Sequence, residues 1–139
     1  MIYMKLFFDY FYHDVMIKSI FYNLNEVDGK NSLSFVLDNS ELDSDEDIGS
    51  ENYEYFKDLK CMFEKVHQSS VNLYQNVRGN YFILSSEISD TDPFLIEYKS
   101  GMDKIIPIDI FNDLKCYSIY TTGGTIKIIS ANDVVVLEE

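Results

Sequence analysis

The chain has 139 residues, 46% of them hydrophobic and 15% aromatic, which suits one domain with a sizeable core and excludes a chain disordered throughout. Asp and Glu number 24 against 11 Lys and Arg, for a formal net charge of -13. Such a chain repels phosphate backbones and anionic headgroups, so nucleic acid and membrane are excluded as partners and a basic protein surface is favoured. The same acidity also serves solubility alone, and both readings stay open at this point.

Ile2, Met4, Leu6 and Phe8 alternate with Tyr3, Lys5, Phe7 and Asp9, which predicts a first strand. This apolar run is too short for a bilayer and lacks a small-residue cleavage site, so a cytoplasmic location is expected. From His13 to Asn25 the period changes. Met16, Ile17, Ile20, Phe21 and Leu24 share one helical face, with Asp14 placed to cap the start and Gly29 beyond the end. Ser32 to Asp38 predicts a strand with Leu33, Phe35 and Leu37 on one face.

The stretch 39–52 differs from its surroundings. It holds Glu41, Asp43, Asp45, Glu46, Asp47 and Glu51 with no Lys or Arg, so an exposed acidic loop is expected. Tyr53 to His67 then predicts a helix, with Leu59, Met62, Phe63 and Val66 on one face, acids at its start and Lys60, Lys65 and His67 towards its end. Val71 to Val77 predicts a short strand and Arg78-Gly79-Asn80 a turn. Tyr81 to Ile88 and Phe94 to Tyr98 predict two strands joined by Ser89-Asp90-Thr91-Asp92-Pro93, with Gly101 closing the second. Pro107 to Lys115 predicts one or two helical turns. Tyr117 to Thr121, Thr125 to Ser130 and Val134 to Leu137 predict a closing meander, turned at Thr122-Gly123-Gly124 and at Ala131-Asn132-Asp133. The sum is one α+β domain over 1–139, a largely antiparallel sheet packed by about two helices.

Chemistry-bearing patterns are few. Asp43, Asp45, Asp47, Glu51 and Glu54 match the oxygen-ligand spacing of a calcium loop, but Ile48 stands where that loop needs glycine, and a strand precedes it instead of a helix. No metal and no cofactor are expected. His13 and His67 are the only histidines, no HExxH or Cys/His cluster has zinc spacing, and no glycine-rich phosphate loop is present. Cys61 and His67, six residues apart on a predicted helix, point away from each other, and Cys61 and Cys116 read as buried reduced thiols. Glu87, Asp90, Asp92 and Glu97 surround one strand–loop–strand unit. A carboxylate acid–base pair there is outweighed by the general abundance of acids. No catalytic residue is assigned. Carboxylates beside aromatic anchors instead suggest a partner-binding set of Glu41, Asp43, Asp45, Glu46, Asp47, Glu51, Tyr53, Glu54 and Tyr55, joined by Asp90 and Asp92.

A short, acidic, Trp-free chain rich in Tyr, Phe, Ile and Asn resembles the bacterial immunity proteins that neutralise contact-dependent growth-inhibition and other polymorphic toxins. The segment Tyr81 to Ile106, with Asp90-Thr91-Asp92-Pro93-Phe94-Leu95-Ile96-Glu97, is loosely similar to the central strands of the SMI1/KNR4-like immunity superfamily. The resemblance implies a cytoplasmic inhibitor, not an enzyme, that binds a cognate basic toxin domain, nuclease-like, and covers its active site. Two alternatives accompany it: a phage or mobile-element antagonist that mimics DNA with its carboxylates, and an uncharacterised enzyme with a dispersed site.

Overall fold

A computed structural model describes residues 6–24, 30–40, 56–75, 80–102 and 104–137. In chain order these form α1 (Leu6–Tyr10), β1 (Met16–Asn23), β2 (Ser32–Asp38), β3 (Leu59–Phe63), β4 (Gln68–Leu73), β5 (Tyr81–Ser89), α2 (Pro93–Met102), α3 (Ile108–Asp113), β6 (Lys115–Thr121), β7 (Gly124–Ser130) and β8 (Val135–Leu137). The strands make one eight-stranded sheet in the order β4-β7-β6-β5-β1-β2-β3-β8, and every pairing is antiparallel. The α+β class expected from the sequence is borne out.

The sheet curls until its two halves face each other. Strands β3 and β6 stand four places apart, about 19 Å in a flat sheet, yet the Phe63 and Tyr117 ring centroids are 5.0 Å apart. β5 makes the corner: Tyr81 and Phe82 lie opposite β1, the rest of the strand pairs with β6, and a register shift between Ile83 and Ser85 bends it there. The Thr122-Gly123 turn joins β6 to β7, as expected. Gly124, at φ 135°, sits so close to the Asn72 carbonyl of β4 that no side chain fits.

One end of the enclosed core is sealed with rings. α1 sends Phe7 and Phe11, four residues apart on one helical face, against Phe35, Phe63 and Tyr117, at centroid distances of 5.0 to 6.1 Å. A second apolar layer covers the outer face of β6 and β7, where Leu95 of α2 packs with Leu114, Cys116 and Ile129. β6 is therefore buried on both faces.

Several local expectations are corrected. The predicted helix over 13–25 is strand β1. A bulge between Ile17 and Ser19 shifts its parity, so Ile17, Ile20 and Tyr22 lie opposite the inward Leu37, Phe35 and Leu33. The bulge gives a strand the three-residue spacing of a helix. The predicted helix over 53–67 is strand β3 in its described part, with Leu59, Cys61 and Phe63 alternating inward. Asp58 and Lys65, at φ 56° and 53°, bracket it in the left-handed region and interrupt any helix. Leu6 to Phe8 belongs to helix α1, while residues 2–5 of that predicted strand lie outside the described residues.

The predicted strand at Phe94–Tyr98 is helix α2, with Gly101 inside it. The segment likened to two central strands is thus a strand followed by a helix. β4 begins three residues before the predicted strand and ends at Leu73. The closing meander stops at β7, because β8 crosses to pair with β3. His13 lies in the turn before β1 and His67 in the β3–β4 link, so neither stands at a helix end.

Candidate functional site

Residues 41–55, which hold Glu41, Asp43, Asp45, Glu46, Asp47, Glu51, Tyr53, Glu54 and Tyr55, lie outside the described residues, as does the calcium-like spacing. The structure does define the place where this acidic run is attached. Asn39, 1% exposed at the end of β2, ties its two ends together. The Asn39 amide donates to the Phe56 carbonyl at 3.1 Å, and the Phe56 amide donates to Asn39 Oδ1 at 2.6 Å. Asn39 Nδ2 also donates to the Tyr12 hydroxyl at 2.7 Å, anchoring this clamp to the segment after α1. Tyr10 packs edge-on against the Phe56 ring at 5.7 Å.

Fixed charges surround the clamp. Asp38, 4% exposed, accepts from the Ser40 amide and hydroxyl at 2.8 and 2.6 Å, which sets the chain's direction as it leaves β2. Lys18 donates to Asp58 Oδ1 at 2.5 Å and stands 3.9 Å from Asp38 Oδ2. The Lys18 hydrogen bond holds the Asp58 carboxyl below its ordinary value. The only lysine of β1 is therefore drawn to carboxylates that flank the acidic run.

Charge is partitioned unevenly along the chain. The described residues contain twelve acidic and nine basic side chains, a net of -3, against -13 for the whole chain. The run 41–54 alone holds seven carboxylates and no basic residue. Twelve of the chain's 24 carboxylates lie outside the described residues, seven of them in the run 41–54.

Asp90 and Asp92 occupy the β5–α2 corner and have different roles. Asp90 is exposed. Asp92 is 8% exposed and engaged inside the protein: its Oδ1 accepts from the Phe94 amide at 2.9 Å and its Oδ2 from Lys127 Nζ at 2.6 Å. Its carbonyl accepts the Leu95 and Ile96 amides at 3.0 Å, so Asp92 caps α2 and Pro93 takes the first helical position. Burial pushes this carboxyl up, but the Lys127 hydrogen bond, the Phe94 amide and the Lys127 charge outweigh it and leave the carboxyl below its ordinary value. The Lys127 ammonium also lies 5.8 Å from the Tyr120 ring centroid. Asp92 builds the corner that presents Asp90.

The two thiols are free and buried. Burial pushes Cys61 up to about 12 and raises Cys116 as well, which leaves both protonated at neutral pH. Cys61 faces the core, whereas His67 Nδ1 meets the Tyr98 hydroxyl of α2 at 2.9 Å. Among the described residues no group of three His, Cys, Asp or Glu is placed to hold a metal, and no helix is long and apolar enough to cross a membrane. Sequence reasoning missed Asn39, a core-facing polar residue whose partners come from other elements. Its only local signal is a position between a strand and a charge run.

Comparisons with protein-family models, with curated proteins and with solved structures find no match for this chain.

Proposed function

We propose that this chain is an immunity-type inhibitor that binds a cognate basic, nuclease-like toxin domain and covers its active site. The observation that carries the reading is the pairing of Asn39 with Phe56 across an acidic run of the sequence. One buried asparagine, Asn39, joins the two flanks of a run of seven carboxylates that contains no basic residue. Tethering at both ends costs the run less entropy on binding than a free tail would lose. A nuclease cleft is lined with Lys and Arg because it must hold phosphates, so opposed carboxylates steer encounter and compete with substrate. Tyr53 and Tyr55, beside the last carboxylates, supply the apolar contact that excludes water from those pairs.

The test uses the product of the reading frame next to this gene. Co-expression is expected to abolish that protein's toxicity, and the two chains are expected to purify as a one-to-one complex. A neighbouring product that is harmless, or that kills equally with and without this chain, contradicts the proposal. Equal inhibition of several unrelated DNA-binding proteins would point to a DNA mimic instead.

A further inference from the structure

The curled sheet is sealed at one end by rings, and among the described residues no helix covers its other end. Between the inner faces of β1, β2 and β4 lies a cavity of about 670 Å³. Strand register identifies which side chains face it. Tyr22 lies opposite the inward Leu33, and Val71 and Leu73 lie opposite Ile126 and Gly124 on the inner face of β7. These are core positions by parity, yet Tyr22 is 48% and Val71 44% exposed. The cavity is also deep, because Ile17 and Leu33, 6% and 1% exposed, contribute to its lining.

We propose that this open end is a binding site for an uncharged, largely apolar small molecule. The volume falls in the range of pockets that enclose a drug-sized ligand, about 300–1,000 Å³. Opposed walls reaching into the core suit a compact guest better than a flat protein surface. Charge at the site sets the ligand class. Lys18 is the one charged side chain among the described lining residues, and its ammonium is held by Asp58 and Asp38. An ionised guest would therefore lose hydration without gaining a counter-ion from the described lining.

The lining also provides two polar contacts. The inward Ser69 hydroxyl has no hydrogen-bond partner among the described residues. The Tyr81 hydroxyl donates to the Tyr74 carbonyl at 2.7 Å and keeps a lone pair to accept with. Thr121 is engaged internally, donating to the Gly124 carbonyl and accepting from the Gly123 amide. A ligand with an apolar body and one or two hydroxyl, amine or carbonyl groups fits this arrangement. The site does not depend on the toxin-inhibitor reading.

The test is a fluorescence titration of the full chain with N-phenyl-1-naphthylamine, a neutral apolar probe. Saturable binding of one probe per chain is expected. Val71→Asp should weaken it at least about tenfold, since the residue is half-exposed and tolerates the charge without unfolding. Val71→Trp, which fills the cavity without introducing charge, should abolish it, and thermal melts confirm that both variants fold. Ile108→Asp, in the exposed apolar part of α3 (Ile108 is 70% exposed), should leave binding unchanged. Failure of the wild type to saturate overturns the proposal. So does wild-type affinity in both Val71 variants, or an equal loss in Ile108→Asp.

Discussion

The two ends of the core are built from the same strands and finished differently. At the α1 end, Phe7 and Phe11 close the space between the sheet halves against Phe35, Phe63 and Tyr117. At the other end, the inward positions of β1 and β4 carry Tyr22 and Val71, and both are nearly half-exposed. Alternation along a strand decides which way a side chain faces. Whether it is buried depends on a second element arriving to cover it. α1 provides that cover at one end, and no described helix does so at the other.

The largest expected effect lies at the closed end. Phe11→Ala removes a fully buried ring and should cost about 3–5 kcal/mol by denaturant unfolding. If it costs less than about 1 kcal/mol, that end is not the tightly packed one. Next comes the outer layer, where Asp92→Ala removes both the α2 cap and the Lys127 pair. About 2–4 kcal/mol is expected, measured in the same way. Lys127→Met should recover part of that loss in the Asp92→Ala background by removing the stranded charge.

A smaller effect tracks pH. Burial against Tyr98 holds the His67 ring below its ordinary value of 6.5. Its contribution to stability is therefore complete above 6.5 and is lost as pH falls through the lower folded value. Asp92, held below 3.8, keeps its contribution until pH falls further still. Stability should thus fall in two stages as pH is lowered, with His67→Gln removing only the first. An unchanged profile in that variant would show that the ring is not buried as described.

The smallest effect belongs to the open end. Val71→Ala should cost under about 1 kcal/mol, because only about half of that side chain leaves water on folding. A cost equal to that of Phe11→Ala would remove the contrast between the two ends.

How much of this was legible in the sequence depends on how local each signal is. β2 and β5, and the β6–β7 hairpin with its Thr122-Gly123 turn, could be read directly because alternation and turn chemistry agree. β1 was obscured by its bulge, which places Ile17 and Ile20 on one face and so mimics a helix. In β3 the true pattern, Leu59, Cys61 and Phe63, competed with Met62 and Val66, which complete a helical stripe. α2 carried its own start signal: Asp92-Pro93 reads as cap and first helical residue, not only as a loop. β8 pairs with β3 across the chain, and no local feature of Val135–Leu137 encodes that partner.

The candidate site was legible in one half only. The acidic run stands out in the composition, whereas its clamp joins Asn39 to a residue 17 positions away and depends on tertiary structure. The open cavity was not legible, because it exists only once β4 folds across from β1.

The central claim is that the tethered carboxylates of 41–54 guide this chain onto a basic partner. The most direct measurement is the association rate with the product of the adjacent reading frame, the proposed partner, at low and high salt. It is made for the wild type and for a variant with Glu41, Asp43, Asp45, Glu46 and Asp47 changed to Gln or Asn. The wild-type rate should fall at least about tenfold with salt, and the variant should be slow and nearly salt-independent with unchanged thermal stability. Equal rates for the two proteins at every salt concentration would contradict the account.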